Sequence, residues 1–129
     1  MKHFDNIEDQ RTYYRAASKK YRAKHPEIPQ RTINRYRFIM KSAKRRNIDF
    51  NLSMEEYESA ISNACYYCQN VIGNPVKCGG GLDRLDNSLG YIPGNVVACC
   101  NICNSIKMHI FSPEETKAMV QALIAFRKL

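Results

Sequence analysis

Apolar and polar positions alternate along this chain in segments that read mostly as helices. Residues 7–25, IEDQRTYYRAASKKYRAKH, contain no Gly or Pro and are rich in Arg, Lys and Ala, which predicts a helix that Pro26 and Pro29 interrupt. In residues 30–47, Ile33, Tyr36, Arg37 and Met40 recur at helical spacing, so a second basic helix is expected. In IDFNLSMEEYESAIS, Ser53 and Glu56 form a capping-box pattern, and Leu52 and Tyr57 hold the staple positions. Tyr57, Ala60, Ile61 and Ala64 then share one helical face. Residues 69–81 are turn-rich, with three consecutive glycines ahead of a short strand at Leu82–Leu85. Residues 86–94 read as a loop and Asn95–Cys99 as a second strand. A helix is predicted to run on to about Ile110. A last one follows Ser112-Pro113-Glu114-Glu115, a second capping box with Pro at the first helical position. Met119, Ala122, Leu123 and Phe126 give that helix one apolar face.

The expected fold class is α+β and mostly helical, a small zinc-stapled core behind a basic helical arm. At 129 residues this is one domain or a small core with an appendage. We divide it at residues 1–49 and 50–129. No apolar run reaches the ~18 residues of a bilayer span, so no membrane role is expected. The opening MKHFDNIEDQ lacks the layout of a signal peptide, which points to an intracellular protein.

Charge sharpens the division. Residues 1–50 hold 14 of the 20 Lys and Arg but 5 of the 12 Asp and Glu, whereas the remainder is near neutral. A basic arm of this kind can displace counterions from nucleic-acid phosphates, and Lys19, Lys20, Arg22, Arg35, Arg37, Lys41, Lys44, Arg45 and Arg46 are the candidates. The alternative is a solvated helix face. An anionic membrane is the weaker competitor, because the arm has no broad apolar face. Tyr13, Tyr14, Tyr21 and Tyr36 interleave with these cations, either to contact nucleic acid or to pack one basic helix on the next.

Six cysteines stand at 65, 68, 78, 99, 100 and 103, all outside the basic half. Cys65 and Cys68, with Cys100 and Cys103, form two C-x-x-C knuckles, the ligand count of a structural Zn²⁺ site. Disulfides need an oxidising compartment, and a redox C-x-x-C explains one pair but not two. Cys78 and Cys99 are left as free thiols. Few groups between and just after the knuckles can do chemistry: Asp83, Arg84, Asp86, Asn95 and Asn104.

The run CYYC…GGLDRLDNSLGYIPGNVVACCNICNSIKM resembles an HNH endonuclease of the His-Me finger (ββα-metal) superfamily. The resemblance covers residues 50–111, with the knuckles, the LDR strand, the GY-x-P-x-NVV hairpin and C-x-x-C-N in the family's order. The block RYRFIMKSAKRRNIDFNLSMEEY resembles the lead-in of phage and large-virus HNH proteins, whereas residues 1–29 match nothing specific.

The resemblance implies that Asp83 and Asn104 bind a catalytic Mg²⁺ or Mn²⁺, that Asn95 braces the interstrand loop, and that double-stranded DNA is the substrate. It implies 5′-phosphate and 3′-hydroxyl products. The family's usual general base, a His after the metal-binding Asp, is here Arg84. A guanidinium stays protonated and cannot act as that base, but it can clamp a phosphate. A rare-cutting restriction branch of the superfamily shares this DR variant and uses a tyrosine to start cleavage. That makes Tyr57, and behind it Tyr66 and Tyr67, candidates, with His109 as the alternative base. Lys107, one turn past Asn104, is expected to reach a phosphate. Cutting both strands favours a homodimer. The resemblance to virus proteins leaves room for virion association. The rival expectation is a non-catalytic zinc module that binds or packages nucleic acid.

Overall fold

In the computed structural model the described residues are 5–24, 29–76 and 79–129; in the first helix the side chains of residues 7, 10, 11, 14, 17, 18, 21 and 22 are outside them. The described chain is α+β. Helix α1 is Ile7–Lys24, α2 Gln30–Arg45, α3 Met54–Ile61, α4 Asn101–Lys107 and α5 Pro113–Arg127; strands β1 (Leu82–Arg84) and β2 (Val96–Ala98) lie between α3 and α4. The strands pair antiparallel, with Asp83 opposite Val97.

Local chemistry sets most of the boundaries. Asn6 caps α1, its Oδ1 accepting from the Asp9 amide at 2.9 Å. Ser53 and Glu56 close the capping box of α3, and Ser112 and Glu115 that of α5, where Pro113 opens the helix. Helix α2 ends where Asn47 turns left-handed at φ 57°, and the amides of Asn47 and Ile48 reach back to Lys44 and Ala43, a Schellman termination. Helix α4 stops at Lys107, short of the predicted end near Ile110, because Met108 takes φ 50°.

Two cores lie on the two sides of the sheet. In the first, Ile33, Tyr36, Ile39 and Ala43 of α2 pack with Phe50, Leu52, Tyr57, Ile61, Leu82 and Tyr91. Helix α2 therefore belongs to the globular body. Tyr36 is a packing residue: its ring meets Phe50 edge-on at 5.6 Å and its hydroxyl donates to the Leu52 carbonyl at 2.6 Å. Tyr13 is exposed, and the side chains of Tyr14 and Tyr21 are outside the described residues. The second core gathers the cysteines with Tyr67 and Val120, and Ile106 and Ile124 cover it. Strand alternation places Leu82 in the first core and turns Asp83 toward the second.

Chain segment 49–51 is laced to the interstrand loop, with Tyr91 donating to the Asp49 carbonyl and Asn51 to the Tyr91 carbonyl, both at 2.8 Å. A Cβ at Gly90 would run into the Asp49 carbonyl oxygen, whereas one at Gly94 would meet nothing within 4 Å. Gly90→Ala should therefore cost about 1–3 kcal/mol by overpacking against backbone. Gly94→Ala should cost only the strain of its left-handed backbone, about 1 kcal/mol. Urea denaturation of both variants checks this ranking.

Candidate functional site

The site is built on the cysteine cluster. Asn70 Oδ1 accepts from the Cys65 amide at 2.9 Å and Gln69 bonds back to the Cys65 carbonyl, which curls the first knuckle. The second knuckle opens α4, where Cys100 is itself the N-cap and its Sγ accepts from the Cys103 amide at 3.4 Å. The thiols of Cys65, Cys68, Cys100 and Cys103 are buried and lie within 4.8 Å of one another. Cys68 and Cys100 Sγ are 3.9 Å apart. A tetrahedral thiolate site with metal–sulfur bonds of about 2.3 Å needs sulfurs about 3.8 Å apart. These four residues can thus hold a structural metal. Thiol hydrogen bonds from Cys103 and Cys99 push the Cys65 thiol well down, and Cys103 and Cys99 are pushed up in return. Gly73 packs against this cluster so closely that a Cβ there would lie 2.9 Å from Cys100 Sγ. Cys99 is buried beside the four, its Sγ 3.3 Å from the Cys100 carbonyl oxygen. Cys78 lies outside the described residues, as do His3 and His25.

Above the cluster, Asp83 is the centre of a buried polar network. Tyr67 donates to its Oδ2 at 2.6 Å. Lys107 Nζ donates to its Oδ1 at 3.1 Å and to the Arg84 carbonyl at 2.7 Å. Exposures of 0 % for Tyr67 and Lys107 and 5 % for Asp83 make this an interior ion pair. Burial pushes the Tyr67 phenol up, and its bond to Asp83 adds to that. Lys107 was expected to reach a phosphate; its ammonium instead points inward. The signal was present in the spacing, since Lys107 follows Cys103, a member of the buried cluster, by four residues and shares its helical face.

Arg84, next along β1, faces the loop. Its NH1 donates to the carbonyls of Asn87 and Leu89, both at 2.9 Å, and its guanidinium lies 5.5 Å from the Tyr91 ring centroid. Arg46 approaches the same ring at 5.9 Å and donates to its hydroxyl at 3.0 Å. Asn95 is buried and braces the loop with three bonds: its Nδ2 donates to the carbonyls of Asp86 and Gly90, and its Oδ1 accepts from the Asp86 amide. Asp86 caps the turn by accepting from Ser88, which holds its carboxyl below the usual range.

The remaining predicted residues lie outside this hydrogen-bond network. Tyr57 is buried in the first core with its hydroxyl on the Gly80 carbonyl at 2.6 Å, and burial pushes its pKa up to about 12. Asn104 is exposed on α4, three residues before Lys107, and His109 is exposed just past the helix end. Arg35 is a loop anchor, donating to the carbonyls of Gly79 and Pro75, a role its sequence context did not signal. Lys19, Lys20, Lys41, Lys44 and Arg45 are exposed and Arg37 half-buried, and the Arg22 side chain is outside the described residues.

A divalent ion at Asp83 and Asn104 fits the donor chemistry, since carboxylate and amide oxygens suit a hard cation. Asp83 accepts one bond on each oxygen and so keeps acceptor capacity on both. Lys107 competes for the same carboxylate, so the fit comes with electrostatic opposition.

This chain is similar to known proteins in fold and in sequence. It superposes on a solved structure of the rare-cutting HNH restriction endonuclease PacI with a TM-score of 0.57 and 25 % identity, over 71 % of this chain and 75 % of that one. The likeness to an HNH endonuclease is thereby established. An uncharacterized protein of Acanthamoeba polyphaga mimivirus, R423, is 33 % identical over 96 residues, 68 % of this chain and 18 % of that protein. An uncharacterized 29.0 kDa protein of Enterobacteria phage T4, from the dda-modA intergenic region, is 39 % identical over 59 residues, 44 % of this chain and 24 % of that protein. The chain thus spans about a fifth to a quarter of these viral relatives. No family model matches. Among the described residues, no helix is long and apolar enough to cross a membrane.

Removing one partner of the buried pair should be costly. Lys107→Met leaves Asp83 charged and unpaired, for an expected loss of about 3–5 kcal/mol, and adding Asp83→Asn should recover part of it. A double-mutant cycle in urea measures the coupling; additive losses would mean the pair is not an ion pair in solution.

Proposed function

We propose that this chain is a metal-dependent DNA endonuclease that hydrolyses phosphodiester bonds beside β1 and α4. The observation that carries this reading is the likeness to an HNH restriction endonuclease across most of the chain, with Asp83 and Arg84 adjacent on β1 and Asn104 on α4. In this reading Cys65, Cys68, Cys100 and Cys103 hold structural Zn²⁺, and Asp83 and Asn104 hold Mg²⁺ or Mn²⁺. When bound, that hard cation supplies charge to polarise the scissile phosphate and stabilise the leaving oxygen.

The chain's own residues do the rest. Two loop carbonyls hold Arg84 by one terminal nitrogen, and its other N–H groups clamp non-bridging phosphate oxygens. Asn95 keeps the loop, and therefore that guanidinium, in place. Tyr67 and Lys107 aim Asp83. With the Tyr57 hydroxyl committed in the core, His109 is the exposed group past α4 able to accept a proton from attacking water. Residues 30–129, with α2 packed into the first core, form the catalytic unit, and Lys19, Lys20, Arg22, Lys41, Lys44 and Arg45 supply cations for phosphates. Affinity should fall steeply with salt. Two copies would serve the two strands of a duplex. The viral origin of the relatives supports a site of action inside an infected cell.

Two observations favour a second reading. Lys107 already neutralises Asp83, and Arg84 replaces the expected base. Both suit a zinc-stabilised module that binds nucleic acid without cutting it.

Plasmid incubation with Mg²⁺ or Mn²⁺ at low salt separates the two. The nuclease reading expects nicked or linear product that EDTA abolishes and Asp83→Ala reduces at least 100-fold. Tight binding without cleavage on supercoiled, linear or branched DNA would establish the second reading. Metal analysis should find one zinc per chain, and Co²⁺ substitution should give the absorption bands of a tetrahedral thiolate site. Cys100→Ser should lose the metal and unfold the chain.

A further inference from the structure

Helix α2 has two faces of different character. Ile33, Tyr36, Ile39 and Ala43 turn inward. Arg31, Asn34, Phe38, Lys41 and Arg45 recur at alternating three- and four-residue steps on the other side, and all are exposed. The helix contains six basic residues and no acidic one. At the centre of this cationic stripe Phe38 is 58 % exposed, two residues along from Tyr36 and hence on the side of the helix opposite the core.

The N-terminal half of the stripe borders a shallow, open depression of about 540 Å³ that Gln30, Asn34 and Phe38 help to line. Arg35 fixes its floor through the carbonyls of Gly79 and Pro75. Gln30 Nε2 donates to Asn34 Oδ1 at 2.9 Å, which pre-sets the Asn34 amide. Along the helix, groups suited to base edges come first and groups suited to phosphates follow. Asn matches the adenine edge, Arg the guanine edge, and Phe the thymine methyl. Lys41 and Arg45 lie one to two turns further on.

We infer that α2 enters the major groove of duplex DNA, reads bases with Arg31, Asn34 and Phe38, and is anchored on the backbone by Lys41 and Arg45. This rests on the DNA reading above and adds a sequence-specifying element to it. The major groove of B-DNA, about 12 Å wide, admits a helix, whereas that of A-form RNA is too narrow and deep. The face is charge-complementary to a polyanion, and a lone exposed aromatic has no electrostatic part in that, which assigns it to the bases.

The test is binding-site selection from a randomised duplex library by the full chain without added Mg²⁺. The wild type should enrich a defined motif. Asn34→Ala and Phe38→Ala should each relax preference on the order of tenfold at one or two positions and leave the salt slope unchanged. Lys41→Ala and Arg45→Ala should weaken all sequences alike and lower the slope by about 1 each. Wild-type protein should shield guanine N7, in the major groove, from dimethyl sulfate. An unchanged motif in both base-contact variants, or shielding confined to adenine N3 in the minor groove, would overturn the inference. Binding with no motif at all would overturn it and leave the DNA reading standing. Failure of the wild type to bind any duplex at low salt would remove both.

Discussion

Cys100 carries two structural duties at one atom. Its sulfur is one of four that can share a metal, and the same sulfur caps the first turn of α4. The cysteine cluster therefore fixes where α4 begins. From that start the helical repeat puts Cys103 and Lys107 on one inward face, and Lys107 falls on Asp83. The distance of 3.1 Å between ammonium and carboxylate is a downstream result of where four thiols meet. A core this small has little apolar area with which to hold such a register by packing alone.

The sheet is only three residues long in each strand, yet it separates the two cores. Its alternation sends Leu82 one way and Asp83 the other, so hydrophobic packing and polar chemistry sit back to back. Tyr91 ties them together. It packs on Phe50 in the first core and lies between the guanidiniums of Arg46, just past α2, and Arg84 on β1. The residue just past α2 and the arginine beside Asp83 thus approach one aromatic ring.

Features specified by local chemistry were legible in the sequence. Both capping boxes, the proline-opened last helix and the two short strands follow from residues a few positions apart, and the meeting of the two distant cysteine knuckles was legible in their matching C-x-x-C spacing. What escaped was set by tertiary contact. Arg35 counted as one more cation of the basic arm, but the carbonyls of Pro75 and Gly79, 40 and 44 residues away, take its donors. Tyr57 shared a helix face with apolar residues, and that face, not chemistry, decided its fate. Lys107 was misassigned because a lysine is ordinarily solvated; only its four-residue offset from Cys103 marked it as internal. The left-handed turn at Met108 that ends α4 has no signal in its residue type, since methionine rarely adopts it.

The buried lysine also bears on the order in which ligands assemble. A bare carboxylate facing a nucleic-acid groove would repel the backbone until a cation arrived to screen it. Here the cation is covalently part of the chain and already in position, so the buried pair of Asp83 and Lys107 is close to neutral. Under the nuclease reading, a polyanion can then settle on the surface ahead of the cation that reading calls for.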